Sequence, residues 1–161
     1  MAPTLRDGER TLVPRYEAWA VRFALADWEA GDVVYFRAPG DQPVSLVDRL
    51  LGGPFIIKRI IATGGQVVAF EHGRLTVDGE AVDVAGPSSV PFSSLRFSPT
   101  PVPEGHLFVL GDNRAPLASR DSRAFGSVPA SSIAGRAAWV VWPPLRRDHA
   151  GVWRWNVRRV P

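Results

Sequence analysis

Turn signals punctuate this chain so closely that little of it can hold a long helix. Fifteen glycines and fifteen prolines fall within 161 residues. Gly31-Asp32, Pro39-Gly40, Gly52-Gly53-Pro54, Gly64-Gly65, His72-Gly73 and Asp78-Gly79 separate apolar stretches of strand length. The pattern predicts strands at Arg10 to Val13, Val33 to Phe36, Phe55 to Ile61, Gln66 to Glu71, Leu75 to Val77, Leu107 to Leu110 and Arg136 to Trp142. Tyr16 to Glu29 has partial helical spacing without a clean face, and Asp41 to Pro54 reads as a loop or short helix. The expected fold class is all-β, mainly strand with little helix, in a single domain over residues 1–161. A small β-meander and loop is set into it at about residues 66–104, and a basic, Trp-containing tail occupies 144–161.

Composition narrows the chemistry. With no cysteine, thiol catalysis and cysteine-ligated metals are excluded. His72, His106 and His149 are far apart and show no paired metal spacing, and no phosphate-binding glycine motif occurs, so no cofactor or metal is expected. The longest apolar run, Ala137 to Trp142, is far short of the roughly 18 residues of a membrane span. The net charge of +3 comes from the tail, where Arg146, Arg147, Arg154, Arg158 and Arg159 face one acid, Asp148.

The most unusual residue is Lys58, the single lysine among 19 basic residues. It stands in Phe55-Ile56-Ile57-Lys58-Arg59-Ile60-Ile61. On a strand, Ile56, Lys58 and Ile60 share one face, and Phe55, Ile57, Arg59 and Ile61 the other. Arginine stays charged in a protein, whereas a desolvated lysine can become a neutral base. Lowering a lysine by about three units requires about 4–5 kcal/mol, which burial can supply. A solvated gatekeeper on an edge strand is the alternative reading.

Two polar stretches bear on that choice. Gly111-Asp112-Asn113-Arg114 follows a strand and is compatible with an Asx turn. Ser119-Arg120-Asp121-Ser122-Arg123 reads either as a solvated loop or as a hydroxyl to orient the lysine with an acid to neutralise Arg59.

The ordered set resembles the type I signal peptidases. The matching pieces are Met1-Ala2-Pro3-Thr4-Leu5, Gly31 to Phe36, Ile57 to Ile61, Gly111 to Arg114, Ser119 to Arg123, Gly126-Ser127-Val128-Pro129, Ile133 to Ala137 and Trp142-Pro143. The resemblance implies a signal-peptidase/LexA-like β-barrel-type catalytic domain with a Ser–Lys dyad. It makes Lys58 the general base and Ser119 the hydroxyl that positions its amine. Arg59, Asp112, Asp121 and Arg123 become a supporting ionic cluster, and Met1, Leu5, Ile56 and Ile57 the walls of pockets for small residues. The implied substrates are exported preproteins with A-x-A cleavage sites, met at the extracytoplasmic face of the cytoplasmic membrane.

The alignment puts the nucleophilic serine, and the membrane anchor, before Met1. The spacer from Arg114 to Ser119 is two residues longer than the family pattern. Two other readings stand beside this one. The first is a catalytically inactive homologue that binds peptides or a partner at the membrane. The second is a LexA-like self-cleaving domain, although Ala30-Gly31 lies after the serine position where such a domain needs its cleavage site before it. Trp153-Arg154-Trp155 with Arg158 and Arg159 suits nucleic acid or an anionic membrane. The resemblance favours the membrane surface over nucleic acid, with Trp19, Phe23 and Trp28 joining that contact; an aromatic-stabilised C-terminal strand is the alternative reading of the same residues. The oligomeric state is open.

Overall fold

The computed structural model describes residues 1, 4–14, 16, 20, 27–37, 39–40, 55–71, 74–82, 98–113, 119–147 and 150–161. Expectations for Ala2, Pro3, Trp19, Phe23, His72, His149, Asp41 to Pro54, residues 83–97 and the spacer 114–118 lie outside them.

Among the described residues the strands are β1 (Arg10–Leu12), β2 (Val33–Phe36), β3 (Ile56–Thr63), β4 (Val67–Glu71), β5 (Arg74–Val77), β6 (Glu80–Ala81) and β7 (Thr100–Pro101). They continue with β8 (His106–Leu110), β9 (Val128–Pro129), β10 (Ile133–Arg136), β11 (Trp139–Trp142), β12 (Leu145–Arg147), β13 (Trp153–Trp155) and β14 (Arg158–Arg159). One helical turn, α1 (Ser122–Phe125), precedes β9. The fold is all-β.

A five-stranded antiparallel sheet in the order β10-β2-β3-β8-β9 forms the centre. β2, β8 and the Ile60–Ala62 half of β3 are covered on both faces, which is why those stretches read as near-continuous apolar runs. Val34, Phe36, Ile60, Leu107 and Val109 pack on one side with Trp28, Val128 and Ile133. Ile61, Ala62, Phe108 and Leu110 pack on the other with Val68, Leu75, Val77 and Val102 of the small sheet β6-β5-β4-β7. Each Val, Leu, Ile or Phe among these contributes about 1.5–3 kcal/mol on burial. A bulge between Ile60 and Ala62 places Ile61 and Ala62 on the same side.

Two expectations change here. The single strand over Arg136 to Trp142 is two strands in two sheets. Ala137 N–H donates to Val33 O at 2.7 Å and Ala138 N–H to Leu12 O at 3.0 Å, so the chain crosses from β2 to β1 between them. Three-stranded β1-β11-β14 begins at that crossing. Gly135 sits just ahead, at φ +156°, where an added Cβ would lie 2.6 Å from Val13 Cγ1. Trp28, expected at a membrane surface, is instead 6% exposed within the core, its ring 5.9 Å from the Arg136 guanidinium.

Candidate active site

Lys58 lies on β3 where one edge of the strand is open. On one side Ile56 to Arg59 pair with Phe36 to Val33 of β2. On the other, pairing with β8 starts only at Arg59, opposite Leu110, so no described strand covers that edge of Ile56 to Lys58. The lysine shares its face with Ile56 and Ile60 and is half-buried. Burial pushes its amine below the ordinary value; the Asp121 charge opposes this, Arg123 reinforces it and Asp112 opposes it.

Continuing the β3–β8 register by one residue puts Gly111 opposite Lys58, and the chain after β8 turns there. Ser119 folds onto the space a side chain at 111 would fill: a Cβ on Gly111 would come within 2.8 Å of Ser119 Cβ and closer still to its Oγ. Ser119 Oγ is buried and makes no hydrogen bond to a described residue. Its nearest polar neighbour is the Asp121 carboxylate, whose pKa it helps to lower.

Asp121 fixes the turn. It is fully buried, caps α1 by accepting from Arg123 N–H, and accepts from Gly111 N–H at 3.0 Å through Oδ2. Arg123 Nε and Nη2 each reach it at 2.8 Å. Burial alone would raise its pKa. Hydrogen bonds from Arg123 and Gly111, the Arg123 charge and the nearby Ser119 hydroxyl together bring it below the ordinary value. Because Arg123 neutralises Asp121, the carboxylate beside Lys58 does less to keep the amine protonated.

Arg59 faces the other way and has a different acid, which corrects the expectation drawn from the Ser119–Arg123 stretch. Only 1% exposed, it binds Asp112 with Nε and Nη2, both at 3.0 Å. Its Nη1 donates to Gly31 O and Pro161 O at 2.7 Å each, and Nη2 also reaches Thr4 Oγ1 at 3.3 Å. The five guanidinium donors thus have five acceptors.

Thr4 ties the first residues of the chain to this cluster. Leu5 N–H donates to Met1 O at 3.0 Å, closing a turn in which Met1 and Leu5 are half-buried. The Met1 amine is held below its ordinary value, by burial first and by the Lys58 charge second, while Asp112 opposes the shift. Met1 is therefore within electrostatic reach of Lys58. Ile56 packs against the first core cluster on the lysine side, while Ile57 points to the opposite face of β3.

Sequence reading gave Thr4, Glu9 and the structural demand on Gly111 no weight, and grouped Arg158 with the tail's surface contact, whereas its Nη2 donates to Thr4 O and Glu9 Oε2. Gly111 stood in a quoted motif, but its role depends on contact with Ser119. Gly111→Ala should displace Ser119, with about 1–3 kcal/mol lost to overpacking. In a catalytically competent form we expect kcat to fall by about ten- to a hundredfold with KM little changed. Turnover within about twofold of the parent would remove Ser119 from the site.

Residues 1–142 match the signal peptidase family, peptidase S26. Over 91% of this chain, "Thylakoidal processing peptidase 1, chloroplastic" of Arabidopsis thaliana is 33% identical, the match covering 40% of that protein. "Signal peptidase I" of Mycobacterium tuberculosis is 36% identical over 91% of this chain and 63% of its own length. "Probable signal peptidase I-1" of Synechocystis is 32% identical over 94% of this chain and 71% of its own. The chain thus spans less than two thirds of the first two.

Proposed function

This chain belongs to the signal peptidase family S26, and from that premise we propose that it is the catalytic part of a serine endopeptidase that removes signal peptides from exported preproteins. The observation that carries this reading is the half-buried Lys58, its pKa lowered by burial, on an open strand edge within electrostatic reach of Met1. In this reading the nucleophile is a serine immediately before Met1, the position the family resemblance gives it, and the electrostatic reach of Met1 to Lys58 supports that placement. The preprotein adds as an extended strand along Ile56 to Lys58, backbone to backbone, with small residues fitting the shallow walls of Met1, Leu5 and Ile56 on the lysine side, while Ile57 meets substrate side chains that point to the other face.

In the chemical step the neutral Lys58 amine takes the serine hydroxyl proton as the oxygen attacks the scissile carbonyl carbon. The tetrahedral adduct collapses, the C–N bond breaks, and the Lys58 ammonium gives its proton to the departing amine. Water, deprotonated by Lys58, then hydrolyses the acyl-enzyme and frees the serine. The buried Ser119 hydroxyl is available to the Lys58 amine and aims it through this cycle.

The test is cleavage of a peptide with an A-x-A site by this chain carrying a short N-terminal extension that ends in serine before Met1. We expect cut after the second alanine, and none when alanine replaces that serine. Equal cleavage by the two forms, or none by either, would overturn the assignment.

The membrane contact is part of the same proposal. On the β12–β13 hairpin Leu145 pairs with Trp155 and Arg147 with Trp153, so these four share a face, while Arg146 and Arg154 share the other. Trp153 and Trp155 are 60% and 77% exposed, with the Arg147 guanidinium 5.0 Å from the Trp153 ring. Exposed Trp beside Arg suits the headgroup region of an anionic bilayer. Among the described residues no helix is long and apolar enough to cross a membrane. Trp153→Ser with Trp155→Ser should weaken co-sedimentation with phosphatidylglycerol vesicles at least about tenfold. Unchanged partitioning would remove the hairpin from the contact.

A further inference from the structure

The family match ends at Trp142, yet the chain beyond it returns to the site. β14 pairs with β11, with Arg158 opposite Val140 and Arg159 opposite Trp139, and Val160 N–H donates to Ala138 O at 3.0 Å. Asn156, buried, donates its side-chain N–H to Pro143 O at 3.0 Å and its backbone N–H to Pro144 O at 2.8 Å, which anchors the approach. From that strand Arg158 Nη2 donates to Thr4 O at 2.8 Å and to Glu9 Oε2 at 3.0 Å.

Glu9 is built as the counter-ion. Its side chain is 1% exposed, it accepts from Arg6 N–H at 3.0 Å, and Arg146 Nη1 stands 3.5 Å from its other oxygen. Thr4 is thus held from two sides, its hydroxyl by Arg59 and its carbonyl by Arg158. A carboxylate this buried, with its partners on β12, β14 and the first turn, locks three segments to one point.

The geometry points to Arg158, braced by Glu9, as a positioning residue that holds the Met1–Leu5 turn onto β3 at Arg59, the neighbour of Lys58. Arg158 touches neither substrate nor dyad; it acts through Thr4, and so through the segment that carries the nucleophile in the reading above, on which its catalytic consequence rests. A turn free to lift would hydrate Lys58 and carry the serine out of reach, and misplacement of a reacting group by about 1 Å can cost about a hundredfold in rate.

Lys58 is the sole lysine, so lysine labelled at Cε gives one side-chain resonance to titrate. In the 161-residue chain, Arg158→Gln should move the Lys58 midpoint up towards the ordinary lysine value, and Arg158→Lys should restore it. In the serine-bearing chain Arg158→Gln should lower kcat at least about tenfold at nearly unchanged KM, again rescued by Arg158→Lys. An unmoved Lys58 midpoint in Arg158→Gln, or a kcat within about twofold of the parent, overturns the proposal. Loss of peptide cleavage in the unsubstituted serine-bearing chain counts against the peptidase reading instead, and the Lys58 titration still decides whether Arg158 holds the turn.

Discussion

Lys58→Arg should lower kcat of the serine-bearing chain by about a hundred- to ten-thousandfold while KM stays within about threefold, the expected scale for removing a general base. The substitution keeps positive charge and much of the aliphatic stem, so the strand and its ionic surroundings are preserved. What it removes is the neutral state, which a guanidinium does not reach in a protein. Activity surviving the change would mean that Lys58 is not the base. The parent enzyme should gain rate as pH rises through the lowered Lys58 midpoint and then level off, since only the unprotonated amine accepts the serine proton.

The same shift has a sign for stability. The folded pKa lies below the ordinary 10.5, so between the two values the unfolded chain binds more protons than the folded one. Stability attributable to Lys58 therefore rises with pH across that window. It is absent below the folded midpoint, where the desolvated charge is present. Urea unfolding at a series of pH values should show this rise in the parent and lack it in Lys58→Met. Equal slopes would indicate that Lys58 is solvated in the folded state.

What could be read beforehand follows the distance over which a constraint acts. Gly31-Asp32 and Pro39-Gly40 bracket Val33 to Phe36, and the strand occupies those four residues. Apolar alternation on β3 placed Ile60 and Ile61 on opposite faces, as the two core clusters have them. The bulge at Ala62 and the sheet crossing at Ala137–Ala138 left no such mark, because both depend on what the neighbouring strands are doing. The polar residues divide in the same way. Asp121 and Arg123 are two positions apart and pair within one turn, whereas Arg59 finds Asp112 from 53 positions away and Arg158 finds Glu9 from 149. Composition and spacing carry no term for such long-range pairs, and the choice of Asp112 over Asp121 for Arg59 turns on which face of β3 each side chain leaves.

Arg59→Met should destabilise the fold by about 3–5 kcal/mol, since it strands a buried carboxylate. Asp112 would lose two charge-assisted hydrogen bonds at 3.0 Å, and Gly31 O, Pro161 O and Thr4 Oγ1 would each lose a donor. Against a total stability of about 5–15 kcal/mol for a domain, this is a large fraction, and it corresponds to a fall of about 10 °C or more in Tm. The informative comparison is Arg59→Met with Asp112→Leu, which exchanges the whole pair for apolar volume. Such exchanges are often neutral in stability because both desolvation penalties disappear together. Urea unfolding of the double variant should therefore recover most of the loss. Its kcat in the serine-bearing chain should stay low, because Thr4 no longer has a donor on its hydroxyl and the first turn is held by Arg158 alone. Recovery of both stability and turnover would mean the pair only fills space. A single-variant cost below about 1 kcal/mol would mean that Asp112 finds solvent once Arg59 is gone. Recovery of stability without turnover would separate the two roles, and assign the buried pair to holding the nucleophile's segment rather than to holding the fold.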